Sequence, residues 1–173
     1  MKSSIFPGWY QAIVTFLLSA TGIGTVLMCF SVIAVPLQKD FGTSREEVML
    51  IMTIFYVLTA AIAPVLGPIM DRYSIRKIML AGGWLLALSY IAISYATSLL
   101  QVMIIYGTLL TLALSGIGNL AYTVLLSRWF TRHRCRAIAI AALGISVGGV
   151  VFPPILQFLI DSYGWRDALR FFA

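Results

Sequence analysis

Charge is what this sequence has least of. Asp, Glu, Lys and Arg make up 10% of its 173 residues, against about 25% in a soluble domain. Histidine occurs once, as His133, in a run of arginines that reads as a solvated loop. Cysteine occurs twice, and Cys29 and Cys135 fall at depths too different for a disulfide. This leaves no metal constellation. No nucleophile–base pair and no Gly-rich phosphate loop is present either, so the sequence argues against an enzyme and implies no cofactor. The few charges are also clustered. None occurs from Ser3 to Gln38, from Val48 to Met70, from Ile78 to Ser127 or from Ala137 to Ile160.

What fills those gaps is apolar. Hydrophobic residues make up 61% of the chain. A membrane-spanning helix needs roughly 20 apolar residues. The four runs therefore hold one, one, two and one helices, predicted near Ala12–Leu37, Val48–Met70, Ile78–Ser94, Leu100–Leu126 and Ala137–Ile160. The long third run must fold back once, at Tyr95-Ala96-Thr97-Ser98. Gly164 to Ala173 reads as the start of a sixth span. The predicted class is an all-α, multi-pass transmembrane bundle. The first run is too long for the apolar stretch of about 7–15 residues in a signal peptide. A soluble bundle would need a polar face on each helix.

The net charge of +6 follows topology rather than nucleic acid. With the N-terminus in the cytoplasm, the inside loops carry eight basic residues: Lys2, Arg72, Arg76, Lys77, Arg128, Arg132, Arg134 and Arg136. The outside loops carry four: Lys39, Arg45, Arg166 and Arg170. An excess of Lys and Arg on the cytoplasmic side sets orientation. The expected partners are the bilayer and a small solute, with the chain in the plasma membrane.

Two internal matches point to a repeat. PVLGPIMDRYSIRKIM at Pro64–Met79 and PILQFLIDSYGWRDAL at Pro154–Leu169 share Pro64/Pro154, Leu66/Leu156, Asp71/Asp161, Tyr73/Tyr163 and Arg76/Arg166. Gly-Ile-Gly recurs in SATGIGTVLM and ALSGIGNLAY, at Gly22 and at Gly116. The first span thus maps on the fourth, and the end of the second on the end of the fifth. The chain reads as two three-helix units, about 10–96 and 99–173. An odd number of spans inverts the second unit, and inverted repeats place a substrate site at their interface near the midplane.

Gly67-Pro-Ile-Met-Asp71-Arg72-Tyr-Ser-Ile-Arg76-Lys77 resembles the loop between helices two and three of the major facilitator superfamily. Gly67, Asp71, Arg72, Arg76 and Lys77 fall on that motif; Met70, Ser74 and Ile75 depart from it. Gly8-Trp9, Arg128-Trp-Phe with the small-residue helix after it, and Gly164-Trp165-Arg166 resemble the monocarboxylate porter and oxalate:formate antiporter branch. The resemblance covers the amino-terminal half of a twelve-helix fold and implies a secondary transporter working by alternating access. By that resemblance, the carboxy-terminal six-helix half is expected as a partner missing from this chain. Leu112 stands where proton/drug antiporters often carry an Arg, and Gly148-Gly149 where they carry Gly-Pro. The resemblance also implies that the Asp71 loop latches the two halves when the cytoplasmic side is closed.

No span carries a buried charge. The path candidates are therefore polar: Thr21 and Thr25 with Met28 on span one, and Ser115, Asn119 and Tyr122 on span four. Each set is spaced i, i+4, i+7 and is expected on one helix face. The alternative is that the hydroxyls bond their own backbone and the glycines serve close packing. If the solute is an organic anion, its countercharge must come from the missing half, this half supplying polar and aromatic wall only. A fragment that inserts without transporting, and a half-transporter acting as a dimer, stay open. Gly164–Ala173 is too short to cross the core, which speaks against both as endpoints.

Overall fold

The computed structural model describes residues 8–130 and 133–173. Lys2 and Arg132, counted above among the inside basic residues, lie outside them. The described residues form six helices and no strand. They are α1 Gly8–Phe41, α2 Arg45–Arg72, α3 Ile75–Ser94, α4 Leu99–Trp129 and α5 Arg134–Tyr163, followed by α6 Trp165–Phe171. The first five are long and apolar enough to cross a membrane.

Two of the helices, α2 and α4, start at polar side-chain caps. Ser44 starts α2 with a reciprocal capping box. Its Oγ accepts from Glu47 N–H at 3.3 Å, and Glu47 Oε2 accepts from Ser44 N–H at 2.8 Å. Ser98 Oγ caps α4, accepting from Gln101 N–H at 3.4 Å. The fold-back at Tyr95–Ser98 lies where the sequence places it. Gly42 ends α1 at φ 60° and Gly164 ends α5 at φ 84°, conformations that favour glycine.

Pro64, Pro68, Pro153 and Pro154 all lie inside unbroken helices. The irregularities fall elsewhere. Wide turns occupy Ala20–Met28 of α1 and Tyr106–Leu110 of α4. At Gly118 the backbone of α4 becomes extended, with ψ −163°. Both copies of Gly-Ile-Gly therefore sit at helix irregularities.

Close backbone packing holds the bundle. A Cβ on Gly144 would fall on the Phe16 carbonyl oxygen, and one on Gly148 on the Ala20 carbonyl oxygen. α5 thus lies directly against α1. Gly82 does the same for α3 and α4, where a Cβ would be 2.9 Å from the Ala113 carbonyl oxygen. Without a hydrophobic drive between helices in lipid, such contacts are a main source of association. The burial is uneven. Over their most apolar windows, α1 and α4 are 56% buried, whereas α2 and α5 are 17% buried. α1 thus shares its degree of burial with α4, and α2 with α5.

Candidate functional site

A cavity of about 220 Å³ opens between α1, α2 and α4. Ile23 and Leu27 of α1 and Phe55 and Leu66 of α2 make its wall mostly apolar. Its polar lining comes from Tyr56 and Thr59 of α2 and from Ser115 and Asn119 of α4. The Thr59 hydroxyl is used within its own helix, donating to the Phe55 carbonyl at 2.7 Å.

The break in α4 shapes the polar side. Gly118 N–H donates to the Leu114 carbonyl at 2.6 Å, and a Cβ at Gly118 would fall on that same oxygen. Only a glycine fits such an approach. The helix then restarts as Asn119–Trp129. Tyr122, one turn on, donates its hydroxyl proton to Asn119 Oδ1 at 2.9 Å. Ser115 is buried, at 8% exposure. Its hydroxyl makes no hydrogen bond to another described residue.

The candidates on α1 do not share one face. Thr21 is exposed, and its hydroxyl donates to the Leu17 carbonyl at 2.9 Å. Thr25 is buried, donates to the Thr21 carbonyl, and accepts from the Tyr90 hydroxyl at 2.8 Å. Met28 is exposed beside Gly149. None of the three lines the cavity. The wide turns explain this departure from the i, i+4, i+7 expectation: their i→i+5 bonding stops residues four apart from stacking. On α4, Ser115 and Asn119 do reach the cavity together, and Tyr122 reaches it through Asn119.

The loop motif follows the cavity residues at the C-terminal end of α2. Gly67 is exposed, and a Cβ there would meet nothing within 4 Å. Asp71 pairs with Arg128 of α4 at 3.8 Å, and Arg128 also donates to the Met70 carbonyl at 3.1 Å. Arg72, Arg76 and Lys77 are exposed and make no ion pair with the described residues. The second copy of the element behaves differently. Asp161 accepts from Gln157 at 2.8 Å, while Arg166 pairs with Asp40 at the end of α1.

Sequence reasoning missed the α2 side of the cavity and the Tyr90–Thr25 bond. Tyr56 and Thr59 carry a signal, an i, i+3 polar pair in an apolar span. Tyr90 carries none, since a lone tyrosine in a span names no partner.

The whole chain also compares with known proteins. It matches the family described as Major Facilitator Superfamily over residues 13–173. It is 29% identical over 164 residues to "Monocarboxylate transporter 11" of Mus musculus, covering 94% of this chain and 36% of that protein. It is 32% identical over 166 residues to "Monocarboxylate transporter 13" of Bos taurus, covering 94% and 38%. To the "Uncharacterized MFS-type transporter YcxA" of Bacillus subtilis (strain 168) it is 26% identical over 167 residues, covering 96% and 41%. The chain thus spans little more than a third of the length of these relatives. The five apolar spans, the Gly67–Lys77 loop and a match that runs almost end to end converge: this integral membrane chain belongs to the Major Facilitator Superfamily.

Proposed function

We propose that the chain forms the amino-terminal half of an alternating-access secondary transporter for a small organic solute, a monocarboxylate or another organic anion. The observation that carries this reading is the cavity between α1, α2 and α4. It is an apolar pocket with a few convergent polar groups, Ser115 and Asn119 foremost, the usual character of a small-molecule site. The names of the relatives support the solute class. The low burial of α2 and α5 supports a second helical half packing on that side.

The two units, about 10–96 and 99–173, act as inverted repeats, with the N-terminus cytoplasmic and the chain in the plasma membrane. Gly67, Asp71, Arg72, Arg76 and Lys77 form the inner gate. A carboxylate near a helix terminus or cation contributes about 0.3–2 kcal/mol. That is enough to bias a two-state equilibrium without locking it. Asp71 suits this task, being 81% exposed and held by one long contact.

The test is uptake into liposomes. The chain is co-reconstituted with a carboxy-terminal six-helix half, and a panel of labelled monocarboxylates is offered. Uptake that needs both halves and falls in Asp71→Asn is expected. No uptake of any solute would sink the proposal. Uptake by the chain alone would put a dimeric half-transporter in its place.

A further inference from the structure

We infer that the break in α4 builds a subsite for an oxygen acceptor, best an oxyanion, on a solute with an apolar body. The subsite rests on the cavity being the solute path.

Three features of α4 converge on one stretch of cavity wall. The helix restarts after Gly118, and Gly118, Asn119 and Leu120 line the cavity. Tyr122 N–H bonds the Gly118 carbonyl at 3.2 Å, which marks the new helical ladder. A helix start carries about half a positive charge and favours anions. Ser115, a residue more than nine-tenths buried that lines the cavity, adds a hydroxyl with no hydrogen bond to another described residue. Asn119 adds its amide NH2. The Tyr122 hydroxyl occupies Asn119 Oδ1 at 2.9 Å, so the side chain presents donors. No carboxylate lines the cavity to receive a cation.

Discontinuous helices that aim a half-helix start at a substrate oxyanion are known in transporters. Here the device supplies partial positive charge where no buried cation is found among the described residues. It does not replace a formal countercharge; it orients the oxyanion toward α4. Tyr122 is a positioning residue, acting only through the Asn119 amide.

Binding of three probes of one size to the purified chain tests this: benzoate, benzyl alcohol and benzylammonium, followed by ligand-observed NMR. Benzoate should bind best and benzylammonium worst. Ser115→Ala should weaken benzoate about tenfold, the loss of one hydrogen bond to a charged group. It should leave benzyl alcohol nearly unchanged. Tyr122→Phe should narrow the preference for benzoate, and Asn119→Asp should invert it. Circular dichroism checks that each variant stays helical, and Ser115→Ala, the mildest change, carries the test alone if another fails to fold. Equal binding of all three probes, or a Ser115→Ala preference matching the parent, overturns the subsite and leaves the cavity as solute path. No binding by any probe overturns the subsite as well, and uptake by the two halves together then decides the solute path.

Discussion

Arg166 at the start of α6 pairs with Asp40 at the end of α1, Nη1 to Oδ2, at 2.6 Å. Trp165 donates its indole N–H to the same carboxylate oxygen at 2.8 Å. The Arg166 guanidinium also lies 4.3 Å from the Trp165 ring centre and donates to the Ala96 carbonyl at 3.3 Å. At the opposite end of the bundle, Asp71 meets Arg128 at 3.8 Å. The first pair joins the end of α1 to the turn between α5 and α6, and the second joins the end of α4 to the turn between α2 and α3. Acid and base have exchanged places. One clamp is tight and the other loose.

The two clamps should differ in their contribution to stability. Both are partly exposed, so solvent screens them and each is modest. Asp40→Asn weakens two charge-assisted hydrogen bonds and should cost about 1 kcal/mol. Asp71→Asn loses one long contact and should cost less than about 0.5 kcal/mol. Unfolding of the detergent-solubilised variants, followed by circular dichroism, measures the difference. Equal losses would contradict the assignment.

Glycine positions should divide sharply. Gly148→Val drives a side chain into the Ala20 backbone, and neither helix can move aside without unpacking the other. Overpacking of this kind costs about 1–3 kcal/mol or more. Gly67→Ala meets open space in an exposed helix, so stability should stay level or rise by up to about 1 kcal/mol. If Gly67 serves close approach of another helical half, the same change should still lower transport. Thermal midpoints and uptake, measured on the same two variants, decide between these roles.

How much of this was legible in the sequence depends on the range of the interaction. The spans were, because charges in hydrocarbon are costly and their absence marks each run. The turn at Tyr95–Ser98 was, because a long apolar run must fold back. Ser115 and Asn119 were reachable from spacing, since four residues bring both to the cavity wall even across the Gly118 break. Thr21 and Thr25 were not, because a 3.6-residue period does not hold through the wide turns of Ala20–Met28. The Asp40–Arg166 clamp links residues 126 positions apart, a distance at which no local pattern gives a partner. The sequence pairs Asp161 with Asp71 by register, yet register does not tell which cation each acid meets.

The Tyr90–Thr25 bond should hold the wide turn of α1 closed. It is buried and joins α3 to α1 at 2.8 Å. Cys29 follows one turn later, buried, with its N–H on the Thr25 carbonyl at 3.1 Å. Cys135 is exposed at the start of α5. The chain's only two cysteines thus form a reporter and its control. A thiol reagent should modify Cys135 quickly and Cys29 only when the turn opens. Tyr90→Phe removes a buried hydrogen bond contributing about 1 kcal/mol, which corresponds to roughly fivefold more opening. Cys29 labelling should speed up by that factor while Cys135 labelling stays constant. Thr25→Val should act in the same direction. Adding Thr25→Val to Tyr90→Phe should add little, because both remove one bond. Cys29 labelling that is unchanged in Tyr90→Phe, or as fast as Cys135 in the parent chain, would show that this bond does not govern the turn.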